Sequence, residues 1–390
     1  MKFLKDKQTR HDFVTYAMCI VAFAIVFFMQ SNHMIPRMIT GQLVPITAYI
    51  VMAISLNLVV GIAGDLSLGH AGFMSVGAYT GIVTAVALES AVPSDPVRLI
   101  ISIVVGAIAA AILGFLIGIP VLRLSGDYLA IVTLAFGEII KEIVTCLIVG
   151  VDSRGLHVIF NITGNSTIDD LHLLEDGTAI IKGAQGAVGI KTISTFTAGF
   201  ILVMVTLFVV LNLVRSRQGR AIMAIRDNEI AASASGINVS YYKMLTFTIS
   251  AFFAGITGAL YACSNAALST TSFAFTNGSI LNSVFIVVMV VVGGMGSLTG
   301  SVIAAVVLFL LNYTIKNGAW VHALPAFLQN VFTYPMLVYS IALIVVIMFR
   351  PRGIMGSREF ALCDVPQWPA KLRAGRMARK SLRKEAGHHV

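Results

Sequence analysis

The chain has 390 residues, of which 57% are hydrophobic and only 12% charged, and its mean hydropathy is +0.89. In soluble domains about a quarter of the residues carry charge, so the composition excludes an ordinary soluble domain and indicates a polytopic membrane protein. The net charge of +9 raises nucleic acid as a partner. Much of the excess, however, lies between Arg350 and Lys384 and beside apolar runs, where positive flanking charge on membrane spans explains it better. Cys19, Cys146, Cys263 and Cys363 are scattered without ligand-like spacing, which suggests neither a disulfide framework nor a metal site.

Met1 to Arg10 is basic and precedes an apolar run, as in a secretory signal. That run continues to Phe28 and ends in Met-Gln-Ser-Asn without a small-x-small cleavage pattern, so it reads as a retained first span. Runs long enough to cross roughly 30 Å of hydrocarbon occur near 12–30, 42–62, 70–90, 98–122, 127–149, 193–214, 242–264, 279–293, 296–316 and 333–349. The fold class is thus an all-α polytopic membrane protein of about ten transmembrane helices, with helix breaks near the pathway. If Lys2, Lys5, Lys7 and Arg10 hold the N-terminus in the cytoplasm, alternation places Arg123, the 215–243 segment and the C-terminal tail on the same side. The opposite side receives the mixed-charge loop 151–191, with Asp169, Asp170, Glu175 and Asp176, which reads either as a docking loop or as a solvated linker. Residues 1–356 form one transmembrane domain and 357–390 a basic tail.

The stretch Leu56 to Phe73 departs from the apolar pattern: Gly61, Gly64, Asp65, Ser67, Gly69 and His70 interrupt it. Backbone groups freed by a break in a bilayer must find partners in protein or in a water-lined cavity. Paired breaks of this kind mark substrate pathways in transporters, the plain alternative being a short turn between two spans. A second break, Val291 to Thr299, repeats the pattern Val-Val-Gly-x-x-Gly-x-Leu-Ser/Thr with Gly293 and Gly296. With Asn57, these residues are the candidate pathway. Rows of small residues, Gly106, Ala110, Gly114, Gly118 and Ala254, Gly258, Ala262, suit close helix packing. Lys141 and Glu142 both lie within helical reach of Glu138, and the three read either as a proton or ion relay or as internal pairing near a helix end.

Arg220 to Gly236 is charged and alanine-rich, with Ile222 and Ile225 at helical spacing, an Asp227-x-Glu229 turn and a terminating glycine. Two short surface helices joined by an acidic turn make a knob suited to a protein contact. A hairpin lying on headgroups is the alternative, but small apolar residues and charges of both signs disfavour it.

The run from Arg220 to Tyr261, with Ala-Ile-Arg-Asp-Asn-Glu-Ile-Ala-Ala, Gly-Ile-Asn-Val-Ser-Tyr-Tyr-Lys and Ala-Phe-Phe-Ala-Gly-Ile-Thr-Gly-Ala-Leu-Tyr-Ala, resembles the LivM-type permeases of branched-chain amino acid ABC importers. Ser67-Leu68-Gly69-His70-Ala71-Gly72-Phe73, the second glycine break and Phe349-Arg350-Pro351-Arg352-Gly353 share the resemblance. It implies a bacterial inner-membrane importer with cytoplasmic termini. This permease would work with a second related permease, two cytoplasmic ATPase subunits and a periplasmic solute-binding protein, in membrane lipid and without nucleic acid. Arg220, Arg226, Asp227, Glu229, Ala232 and Gly236 would then belong to the ATPase-coupling element. No Gly-x-x-x-x-Gly-Lys-Ser/Thr loop occurs in the chain, so ATP and Mg would be bound by the partner, with no cofactor, metal or catalytic residue here. A urea or short-amide permease is the nearest rival. An ion-coupled transporter using Glu138, Asp65 and His70 is a more distant one, and an intramembrane enzyme built on His70, Asp65 and Ser67 the most distant.

Overall fold

In the computed structural model the described parts of the apolar runs are mainly helical. Residues 7–32, 34, 36–124, 126–161, 168–174, 177–274 and 283–317 are described, with isolated positions between 337 and 353. α1 spans Lys7–Ser31, α2 Arg37–Thr40 and α3 Leu43–Asn57, and α3 runs on into a π-helical turn, Leu58–Ala63. There follow α4 (His70–Ala87), α5 (Asp95–Val121), α6 (Asp127–Thr145) and α7 (Phe196–Arg215). The chain then forms α8 (Arg217–Asp227), α9 (Glu229–Ala234), α10 (Val239–Ala262), α11 (Ser283–Gly293) and α12 (Leu298–Asn317).

Among the described residues, five helices are long and apolar enough to cross a membrane: Leu43–Ala63, α5, α7, α10 and Leu298–Ile315. The sequence predicts ten spans, and the shortfall has physical reasons. α6 carries Asp127, Glu138, Lys141 and Glu142; α4 dilutes its apolar residues with His70, Ser75, Tyr79, Thr80 and Thr84; and α11 has 11 residues. The apolar part of α1 is confined to Cys19–Ser31. The predicted run 333–349 and the tail 357–390 lie largely or wholly outside the described residues.

The all-α expectation is corrected by a five-stranded antiparallel sheet, ordered β2-β1-β3-β4-β5. Its strands are β1 (Leu147–Asp152), β2 (Gly155–Phe160), β3 (Thr178–Lys182), β4 (Ala187–Val188) and β5 (Ala267–Leu268). The predicted span 127–149 overran because Leu147-Ile148-Val149 continues the apolar run of α6. Short apolar runs do not distinguish strand from helix, and the β-branched residues here favour the strand. Asp152 closes the β1–β2 hairpin: its Oδ1 accepts the Arg154 N–H at 2.8 Å and the Gly155 N–H at 3.2 Å, the Asx geometry of a turn. Burial alone raises the Asp152 pKa. The hydrogen bonds from the Arg154 and Leu174 amides and from the His157 and Arg154 side chains outweigh that and bring it down to about 2. Glu175 and Asp176 lie outside the described residues.

α5 and α10 pack closely, the predicted row Gly106, Ala110, Gly114 of α5 meeting Ala251, Gly255 and Ala259 of α10, whereas Gly258 of the row predicted on α10 meets Met74 and Ala78 of α4, which packs against both. A side chain at Gly255 would meet Ala110 and the Gly106 carbonyl, and one at Gly114 would meet Ala251. Contacts of this kind matter because, between helices in lipid, attraction comes from packing rather than from expulsion of water. α10 begins beside α9 and ends beside β5, so the 215–243 knob and the sheet occupy opposite ends of the bundle. On α6 the Lys141 ammonium lies 3.0 Å from Glu138 and 2.7 Å from Glu142. That is the internal pairing that competes with a relay.

Candidate functional site

Between α3 and α4 the chain passes through the first glycine break. The π-helical turn ends at Gly64, whose φ of +83° is left-handed, a conformation glycine adopts without steric penalty. The Gly64 and Asp65 amides both donate to the Val59 carbonyl, which closes the turn. Residues 64–69 are then non-helical, and α4 starts at His70. His70 is 2% exposed and its Nε2 lies 2.8 Å from Ser55 Oγ. Ser55 precedes Ala63 by eight residues, about 12 Å of helix rise, so α4 begins inside the bundle rather than at its end.

Serines and threonines from other helices meet the backbone freed by the break. The Leu68 N–H donates to Thr133 Oγ1 (3.1 Å) and the Ala71 N–H to Ser283 Oγ (3.2 Å), while the Ser250 hydroxyl donates to the Ser55 carbonyl (2.6 Å). Such groups have no water to turn to in lipid. Ser67 is fully buried, and its hydroxyl has no hydrogen-bond partner among the described residues. Gly69 lies so close to the Thr133 carbonyl that a side chain there would strike it.

The second break packs against the first. Asn57, fully buried, donates to the Ser297 carbonyl and to Ser301 Oγ, each at 2.9 Å, and accepts the Gly296 N–H at 2.9 Å. Both amide hydrogens of Asn57 are thereby used, and the residue clasps the two breaks together. A side chain at Gly61 would strike Asn57 and the Gly296 amide. Gly293 lies against the Gly300 carbonyl, at the turn between α11 and α12.

The knob has the form predicted. Ser216 caps α8 through the Gly219 N–H, Asn228 caps α9 through the Ala231 N–H, and Asn238 caps α10 through the Tyr241 N–H. Capping side chains stabilise helices by roughly 1 kcal/mol each, which matters for helices as short as α8 and α9. Gly236, with φ +83°, follows α9, and the Ile237 N–H returns to the Ala232 carbonyl. Ile222, Ile225 and Ala232 are buried against the bundle, whereas Ile230 is 84% exposed at the tip beside exposed Asp227. Arg220 donates to the Arg215 carbonyl within the knob's own base.

Two side chains join knob and break. Arg226 Nη1 donates to the Gly61 carbonyl at 2.9 Å, and its other nitrogens lie 3.3 and 3.4 Å from Asp227. Lys243 Nζ, on a side chain only 8% exposed, lies 3.0 Å from Glu229 Oε2 and 3.4 Å from Asp65 Oδ1. Asp65 therefore turns to the knob and His70 to Ser55, so these two and Ser67 diverge instead of forming a catalytic cluster. Sequence reasoning missed Ser55, Thr133, Lys243, Ser250, Ser283 and Ser301. The available signal was a polar residue inside or at the end of an apolar run, which flags each of them without pairing them.

A bundle of long apolar helices, interrupted by two abutting glycine breaks and carrying a capped polar knob, is the architecture of a multi-pass membrane permease. The chain belongs to the family described as branched-chain amino acid transport system, permease component, whose model matches residues 38–347. It is 31% identical over 317 residues to the high-affinity branched-chain amino acid transport system permease protein LivM of Escherichia coli strain K12, covering 79% of this chain and 67% of that protein. It is 32% identical over 323 residues to the protein of the same name in Salmonella typhimurium, with the same coverage. To the probable branched-chain amino acid transport permease LivM of Methanocaldococcus jannaschii it is 25% identical over 340 residues, covering 79% of this chain and 90% of that one. No solved structure matches the chain.

Proposed function

We propose that the protein is the membrane-spanning subunit of an ABC importer that carries branched-chain amino acids into the cytoplasm, driven by ATP hydrolysis in separate subunits that seat the knob. The observation that carries this reading is the direct contact of knob and break, Arg226 on the Gly61 carbonyl with Lys243 between Glu229 and Asp65. A movement imposed on α8 and α9 reaches the break through these contacts. Motion there alters the stretch between α3 and α4, which is not regular α-helix.

The knob end is cytoplasmic, on the basis of Arg215, Arg217, Arg220 and Arg226 and the positive-inside rule. The sheet end faces the periplasm, toward a solute-binding protein, and a second related permease completes the pathway. The substrate carboxylate is received at the first turn of α4, where Ser283 Oγ now accepts the Ala71 N–H. A carboxylate is a stronger acceptor than a hydroxyl and takes its place there, beside the Ser67 hydroxyl. Asp65 is engaged by Lys243, so the substrate ammonium is left to backbone carbonyls.

The test is uptake of labelled leucine by proteoliposomes holding the assembled complex, its solute-binding protein outside and ATP inside. We expect ATP-dependent uptake that excess isoleucine or valine suppresses and that survives collapse of the proton gradient. Uptake that follows the gradient without ATP, or that urea suppresses in place of valine, would contradict the proposal.

A further inference from the structure

The β1–β2 hairpin presents an apolar face that none of the described residues covers. Leu156, Val158 and Phe160 share one face of β2 at alternate positions and are 53%, 46% and 56% exposed. β2 is the outermost strand of the sheet, and an apolar edge strand facing water is a liability that proteins ordinarily avoid. Leu156 and Val158 also wall a groove of about 490 Å³ that reaches between α4, α5 and α6, past Val105, Leu113 and Ile143.

The depth of this groove indicates what fills it. Val105 lies ten residues beyond Asp95, about 15 Å along a helix that is about 40 Å long in all. The hydrocarbon layer is about 30 Å thick, so Val105 falls within it even if the first turn of α5 stands among the headgroups. The groove that Leu156 and Val158 wall therefore reaches acyl-chain depth at Val105. Ile143 of the groove wall belongs to an exposed apolar face of α6 with Ile139, and α5 exposes Ile108 and Ile112, surfaces of the kind a bilayer covers. The polar groups of the groove are already paired: Tyr79 donates to the Leu268 carbonyl, Thr80 to that of Val76 and Thr84 to that of Thr80. They leave no donor for a zwitterion.

We propose that the β1–β2 hairpin dips its apolar face into the leaflet at the sheet end of the bundle and, with α4, α5 and α6, encloses an acyl chain of a membrane lipid. The lipid thereby covers the sheet edge, and the hairpin anchors the sheet to the bilayer. This inference does not depend on the substrate or on the energy source.

The test uses the full chain in liposomes whose acyl chains carry bromine, a fluorescence quencher, with Trp320 and Trp368 changed to Phe. We expect Leu156→Trp, Val158→Trp and Phe160→Trp to be quenched at least twofold more than Ile159→Trp, both alone and in the assembled complex. Equal quenching at both sets of positions would overturn the proposal. Loss of quenching on assembly would also do so, by assigning the face to a protein partner. For the unaltered chain, a lipid with a photoactivatable group on its acyl chain should label peptides containing 156–160 and 105–113. Labelling confined to other helices would equally count against it.

Discussion

Glu229→Arg is expected to leave the protein inserted and the complex assembled, yet to reduce leucine uptake per ATP hydrolysed about tenfold. Glu229 Oε2 lies 3.0 Å from Lys243 Nζ, and Lys243 is the cation that also holds Asp65 of the break. The substitution sets a second cation against a lysine side chain only 8% exposed. Like charges brought together at an interface cost several kcal/mol. Glu229 is half exposed, so solvent screening leaves roughly 1–2 kcal/mol of that, which corresponds to about a tenfold change in an equilibrium. The helices should survive, because the Asn228 cap of α9 and the buried Ile222 and Ile225 of α8 are untouched. Measuring uptake and hydrolysis on the same proteoliposomes separates uncoupling from loss of assembly; a wild-type ratio would remove Glu229 from the coupling path.

Gly64→Leu is expected to abolish uptake while leaving insertion and ATPase recruitment intact. A leucine is welcome in a bilayer, so biogenesis should not suffer. At φ +83° an L-residue costs about 1–2 kcal/mol, and the new Cβ would stand 2.6 Å from Arg226 Cγ. Arg226 must then shift, and its hydrogen bond to the Gly61 carbonyl goes with it. Gly189→Ala is the control, because its φ is +81° but an added Cβ meets nothing within 4 Å. It carries the backbone strain without the contact and should transport far better than Gly64→Ala. Near-normal uptake by Gly64→Leu would reduce the first break to a connecting turn.

Helices and breaks were legible in the sequence because their causes are local. Apolar runs give α3, α5, α7, α10 and α12, and glycines mark both interruptions. The caps Ser216, Asn228 and Asn238 and the terminal Gly236 delimit the knob at the spacing capping requires. The Glu138–Lys141–Glu142 pairing was legible too, since Glu138 and Lys141 are one helical turn apart and Glu142 follows Lys141 directly. The sheet was not legible: Leu147 to Val149 extends the apolar run of α6, and β1 finds β3 only after a long connection. Nor was the ion-pair partner of Asp65. Placed on a glycine-rich stretch it reads as a substrate contact, and only the fold brings Lys243, at the start of a distant apolar helix, to within 3.4 Å of it. Asn57 shows the same limit: nothing local indicates that its amide clasps the Gly296 break.

On the proposed function, the knob transmits the nucleotide state of an ATPase partner to the first break. Hydrogen exchange of residues 58–69 in the assembled complex, compared without nucleotide and with a non-hydrolysable ATP analogue, tests it directly. We expect the protection of these amides to change with nucleotide in the wild-type protein and to stay constant in Glu229→Arg. Exchange in 58–69 that is indifferent to nucleotide, while α8 and α9 respond, would contradict the account.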